Sequence, residues 1–342
     1  AITTSDNNTA MGYDALSANT TGAGNTCIGS KAGRVISEGN NNTCIGYESG
    51  SNVNGGITTG VDNTIMGYQT GSAIGTGSYN VIIGNNTWSS AGGGNNNVMV
   101  GRWANRYGGN TSQSCGIGSN SLHNSGSGSD SNIGIGYHAG YYISTGDKNI
   151  VLGLTTGMGQ SAGTALTTGS HNILMGNDAD TSAADSSNQI VMGETVSGNA
   201  NDSFCFGNST TDSAIAFGAT SITAPSDIRL KEDIEDEVVG LDFINELRPV
   251  TFRWKKAKDV PEELKAHSAS EKRVMNGKYN HGFISQEVKE VIDNNPDIKE
   301  GFDMWTEDEA DGRQRIGESA LIPMLVKSIQ ELTARIEELE GE

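Results

Sequence analysis

A glycine recurs at a near-constant step through the first two thirds of this chain. It stands at 12, 29, 46, 67, 84, 101, 118, 136, 153, 176, 193, 207 and 218, with spacings of 17, 17, 21, 17, 17, 17, 18, 17, 23, 17, 14 and 11. Four residues before it, in most units, comes an asparagine: Asn8, Asn25, Asn42, Asn63, Asn80, Asn97, Asn132, Asn149 and Asn172. Gly/Asn/Ser/Thr-rich composition alone reads as disorder. A disordered tract has no reason to keep such a step, so the segment is an array of structural repeats.

Each unit reads as a short strand closed by a turn. The residue before the glycine is apolar throughout (Met11, Ile28, Ile45, Met66, Ile83, Val100 and onward), and two residues earlier stand Thr9, Thr26, Thr43, Thr64, Val81, Val98 and their equivalents. Positions two apart share a strand face, so these columns predict one inward stripe. The glycine permits the positive φ of a tight corner. A second glycine four residues later, at 33, 50, 71, 140 and 157, predicts a second corner. Two aliphatic side chains per unit are few against roughly 1–2 kcal/mol of backbone entropy per residue, and three chains about one axis could pool their stripes. The predicted fold class is a mainly β trimeric fibre shaft, a β-helix or β-roll of period about 17, with a single-chain solenoid as the alternative. The array resembles the head repeats of trimeric autotransporter adhesins and the shafts of phage tail fibres.

Composition changes sharply near residue 225. All 5 prolines (225, 249, 261, 296 and 323) follow the array, whereas 40 of the 47 glycines precede them. Residues 1–225 carry five basic against thirteen acidic side chains, and 226–342 carry seventeen against twenty-eight. Such acidity disfavours nucleic acid. No apolar run reaches the roughly 18 residues that span a bilayer, which excludes insertion as a helix. Residue 1 is Ala, which predicts a fragment or a processed chain. Cys27, Cys44 and Cys205 share a repeat position and Cys115 is one residue off it, a pattern of small apolar fillers rather than disulfides or metal ligands. The predicted domains are a repeat shaft over 1–220 and a distinct domain over 221–342.

The second domain reads as α/β. A helix is predicted over 238–247, strands over 248–254 and 279–284, a helix over 287–292, and a protruding arm or mobile loop over 257–275. Ile322, Leu325, Ile329, Leu332, Ile336 and Leu339 form a heptad seam on a terminal helix over 319–340. That helix is too short to hold alone, so it must dock or assemble as a coiled coil.

Four blocks here carry a resemblance: Ser226-Asp-Ile-Arg-Leu-Lys231-Glu-Asp-Ile234; Gly240-Leu241 with Leu247-Arg-Pro-Val-Thr-Phe252; Gly282-Phe-Ile-Ser-Gln-Glu-Val288; and the Leu321–Leu339 helix. In this order they resemble the intramolecular chaperone auto-processing domain of endosialidase-type phage tailspikes and tail fibres. The resemblance implies a virion tail fibre assembled in the host cytoplasm as a homotrimer and joined to upstream tail proteins. It also implies a single-turnover serine endopeptidase that cuts between Pro225 and Ser226, with Ser226 as nucleophile and Lys231 as general base. Asp227, His281 and Gln286 are supporting candidates. A lysine serves as base where burial lowers its pKa. No cofactor or metal is called for.

A fibre tip implies a host receptor, by default a cell-surface glycan. Trp88, Trp103, Tyr107, Tyr141 and Tyr142 lie off the inward columns and could stack on sugar faces. Asp178, Asp180 and Asp185 cluster in a Ser/Ala-rich turn, and acidic turn residues are common, so glycosidase activity is not expected. The alternatives are a tailspike glycan depolymerase with the same chaperone and a bacterial trimeric surface adhesin.

Overall fold

The computed structural model describes residues 6–51, 56–72, 74–89, 92–156, 166–209, 211–298 and 302–341. They divide into two compact units, Ala1–Asp227 and Ile228–Glu342. In the first, every repeat contributes one strand. Strands β1 (Thr9–Met11), β2 (Thr26–Ile28) and β3 (Thr43–Ile45) begin a parallel sheet that runs in chain order to β12 (Ser203–Asn208), and β13 (Thr211–Ala216) closes it antiparallel. Register is repeat on repeat: Thr26 faces Thr43, Cys27 faces Cys44 and Ile28 faces Ile45. The chain therefore coils on itself as a β-solenoid of period about 17.

The inward stripe is not the one the sequence suggested. The central residue of each strand is buried: Cys27, Cys44, Ile65, Ile82, Met99, Val151, Leu174, Val191 and Cys205. The flanking columns face outward, with Met11 at 63%, Met66 at 40% and Met192 at 41% exposure. A three-residue strand directs one side chain in and two out. Ala10, Gly116 and Gly134 in the central column made it the less conspicuous one. The corners fill the rest of the core through Ile36, Ile57, Ile74, Trp88, Leu122, Ile143 and Leu166. Counting strand residues alone had understated that core.

Two backbone devices fix each turn. The corner glycine has φ +138° at Gly101, and a Cβ there would lie 2.4 Å from the carbonyl oxygen of Gly118, so only glycine lets adjacent turns stack. The second glycine makes a corner and also leaves space: a Cβ on Gly33 would meet Cys27 Sγ at 2.4 Å and Ile36 Cδ1 at 2.9 Å. Leu16, Trp88 and Leu122 take this position in other turns, with φ 53°, 45° and 46°, and fill the slot with their own side chains.

The asparagine column is a buried ladder. Asn80 donates through Nδ2 to Asn63 Oδ1 at 3.0 Å and to the Gly94 carbonyl at 2.9 Å, while its Oδ1 accepts from the Asn97 backbone N–H and Nδ2, each at 3.0 Å. The same pattern links Asn25, Asn42 and Asn63, and again Asn132, Asn149 and Asn172. Polar groups at 0–1% exposure are thereby satisfied, as buried amides must be. Ser114 and Gln189 interrupt the ladder but still receive or pass on one bond.

The second unit contains α1 (Leu241–Glu246), β14 (Val250–Phe252), β15 (Asn280–Gly282), α2 (Ser285–Asn294), β16 (Trp305–Glu307), β17 (Gln314–Ile316) and α3 (Ile322–Gly341). β14 pairs with β15, and β16 with β17, both antiparallel. Val239, Phe243, Leu247, Val288, Met304, Leu321 and Met324 make its core. The predicted arm is folded back on itself: Lys256 bridges to Arg273, and Lys256 and Lys258 both pair with Glu271. The β16–β17 hairpin was not foreseen, although Asp311-Gly312, with Gly312 at φ +66°, marks its turn: the short strands on either side are mostly polar and charged and show no apolar alternation.

Candidate functional site

The predicted junction follows β13 directly. Thr223 holds the chain to Ala214 through two backbone bonds of 2.7 and 2.8 Å. Around it, residues 216–238 are exposed along their whole length. Pro225, Ser226 and Asp227 close the first unit, and Lys231 lies in the second, just after a single 3-10 turn at Ile228–Leu230. Six large apolar side chains in this stretch are open to solvent: Phe217 (44%), Ile222, Ile228 (72%), Leu230 (72%), Ile234 and Val238.

The structure explains why the matching blocks hold the residues they do. Glu331 of α3 accepts the backbone N–H of Leu241 at 2.9 Å, at the start of α1. A Cβ on Gly240 would lie 2.7 Å from both Glu331 carboxylate oxygens. Arg248 forks onto Glu287, tying the strand lead-in to α2 and holding the Glu287 carboxyl below its usual range. His281 and Gln286 are brought together on the wall of one cavity of about 810 Å³, beside Phe252, Trp254 and Phe283. His281 Nδ1 is 3.4 Å from Thr251 Oγ1.

Leu321, just before α3, and Met324 and Ser328 on it are buried in the domain. The heptad seam does not: Ile322 is 59% exposed, Ile329 63%, Ile336 53% and Leu339 73%. The unit keeps one face of this helix and leaves the apolar seam unpartnered.

Residues 226–295 match a protein-family model described as chaperone of endosialidase. This segment is a chaperone-of-endosialidase domain. The match begins at Ser226, the residue that carries the predicted cut. The family is one of self-cleaving peptidases, and a β-solenoid followed by this domain is the arrangement of a tail-fibre or tailspike-type protein. No curated protein and no solved structure matches the chain. Among the described residues no helix is long and apolar enough to cross a membrane, and no His/Cys/Asp/Glu cluster could hold a metal ion.

The aromatic candidates separate. Trp88 is fully buried in the solenoid core, so its assignment as a receptor contact is corrected: it fills the slot that glycine leaves open in neighbouring turns. Trp103, Tyr107, Tyr141 and Tyr142 lie on the surface or near it, on turns that also carry Arg102, Arg106, His123 and His138. Arg102 covers the Trp103 ring at 3.5 Å, and Arg106 lies 4.9 Å from Trp103 and 5.1 Å from Tyr107. His123 meets Tyr107 edge-on at 4.9 Å and stacks on Tyr141 at 4.5 Å. Burial lowers the pKa of both His123 and His138. The insertion after Gly153, with Met158, Gly159 and Gln160, lies outside the described residues.

The histidines and arginines of this cluster were missed by a search for aromatic rings alone. A sequence signal existed. His138 sits two residues after the corner glycine, Arg106 and His123 five, and Arg102 directly after it, and the column at two is left-handed in turn after turn (Lys31, Glu48, Gln69, Asn86, Trp103, Asn120, His138). The frequent Asn and Asp in that column were its mark.

Proposed function

We propose that the chain is the host-attachment segment of a phage tail fibre whose C-terminal domain templates a homotrimer and then severs itself between Pro225 and Ser226. The observation that carries this reading is a chaperone-family match that starts at Ser226 and follows a β-solenoid. In the cut, Ser226 Oγ attacks the Pro225 carbonyl carbon while Lys231 takes the hydroxyl proton. The Pro225–Ser226 C–N bond breaks as the Ser226 nitrogen gains a proton, leaving Pro225 as an ester on Ser226 Oγ. Water then opens the ester to a Pro225 carboxylate and a free Ser226 hydroxyl and amine.

A lysine acts as base only when desolvation makes its neutral form accessible. Lys231 is exposed in the single chain, within a stretch rich in exposed Ile and Leu. Packing of this stretch between copies supplies the missing burial, which makes assembly a precondition of cleavage. The outward columns of the sheet and the open seam of α3 support the same association, since both are uncharged and expose large apolar side chains, among them Met66, Ile117 and Ile135 on the sheet and Ile329 and Ile336 on the helix. The test is to express 1–225 with and without the C-terminal domain. The proposal expects trimers by light scattering only when the domain is present during synthesis. Trimeric 1–225 made without it removes the chaperone role.

A further inference from the structure

On one side of the solenoid, the columns two and five residues after the corner glycines stack turn on turn. The backbone shows the alignment: Gln69 N–H reaches the Tyr47 carbonyl, Asn86 the Tyr68 carbonyl and Trp103 the Asn85 carbonyl, at 2.9–3.0 Å. Over four turns these columns enclose a groove of about 370 Å³. Glu48, Gln69 and Asn86 form one wall, Ser51, Ser72 and Ser89 the floor, and Arg34 one end. Its floor contains unused hydrogen-bonding capacity. Ser51 is 1% exposed and its Oγ has no partner, and neither has the buried Arg34 Nε. A buried polar atom without a partner costs free energy unless a ligand or water completes it.

Charge gives the ligand's sign. The five basic residues of 1–225 face thirteen acidic ones, yet four of the five lie on these turns: Lys31 and Arg34 at one end, Arg102 and Arg106 four turns on. At a sheet spacing of about 4.8 Å per turn the two pairs stand roughly 19 Å apart. Glu48, the groove's carboxylate, is neutralised by Lys31 at 3.1 Å and accepts Gln69 Nε2 at 2.9 Å, which holds its pKa down. Neither Arg102 nor Arg106 has a carboxylate partner among the described residues. Tyr107 and Tyr142, 54% and 41% exposed, continue the same side.

We infer that this side binds a linear acidic polysaccharide laid along the solenoid axis. Its anionic groups meet Arg34 and Arg106, its hydroxyls meet the Ser/Gln/Asn groove, and sugar faces rest on Tyr107 and Tyr142. Carboxylates and phosphodiesters share this chemistry. The inference rests on the reading of 1–225 as a receptor-binding element and supplies the ligand class and its location.

The test uses the full chain and immobilised polymers: alginate (a polyuronate), a teichoic acid (a phosphodiester chain) and a neutral linear β-glucan, with a broader glycan array beside them. Binding to at least one anionic polymer and not to the glucan is expected, the preferred polymer telling carboxylate from phosphate. Arg34→Gln and Arg106→Gln should each weaken binding roughly tenfold or more. Lys148→Gln, which removes the fifth cation, should leave it unchanged. Glycan binding that ignores both arginine variants overturns the groove and leaves the receptor reading standing. Absence of binding to every polysaccharide overturns the groove and the glycan receptor together.

Discussion

Asn80→Ala isolates the contribution of the buried ladder. The substitution removes the acceptor of the Asn97 backbone N–H and the donor to the Gly94 carbonyl, both in the fully buried column. Two orphaned buried groups at about 1–3 kcal/mol each place the loss near 2–6 kcal/mol. For a unit of this size that corresponds to a Tm lower by roughly 5–15 °C. Asn80→Ser should lose less than half as much. Ser114 already occupies this column and accepts the Asn132 N–H through its hydroxyl at 3.2 Å. The assay is circular dichroism melting of both variants at one protein concentration, in a Ser226→Ala background so that chain length stays constant. Equal melting of Asn80→Ala and the parent would refute the ladder as a source of stability. Equal loss in Asn80→Ser and Asn80→Ala would refute the hydrogen-bond explanation and leave only packing.

Gly101→Ala should abolish soluble shaft, because its Cβ would stand 2.4 Å from the Gly118 carbonyl oxygen. Gly128→Asn, at φ +86° with nothing within 4 Å, should fold, and expression followed by gel filtration separates the two. Cys115 lies on the outward sheet face while Cys27, Cys44 and Cys205 are buried, so a short bifunctional maleimide should link copies of the chain through Cys115 alone. Linkage that survives Cys115→Ser contradicts in-register packing of that face. His123 and His138 have folded-state pKa values below the usual 6.5 because burial disfavours their charged forms. The unfolded chain thus binds protons first, and shaft stability should fall as pH drops through about 6.5 toward 5. A double His→Gln variant should flatten that dependence, and an unchanged pH profile would contradict it.

The glycine period was legible because a solenoid must repeat its corners in sequence to repeat them in space. The strand positions followed. Which strand face turns inward was not legible from the columns, because outward residues that are apolar for another purpose look like core. Trp88 shows the same limit: a large aromatic in a glycine slot reads as exposed until the neighbouring turns show the cavity it fills. The groove was hidden because its floor is serine, a residue with no distinctive pattern until three of them stack. In the second unit, Gly240 could be recognised as part of a matching block, but its reason lies ninety-one residues away in Glu331.

Intact mass and N-terminal sequencing of freshly assembled protein, beside Ser226→Ala, test the central claim most directly. Self-cleavage at the junction predicts a C-terminal fragment beginning at Ser226 in the parent, and one chain of 35.7 kDa in the variant. A fragment with any other start, or cleavage that persists without the Ser226 hydroxyl, would contradict it.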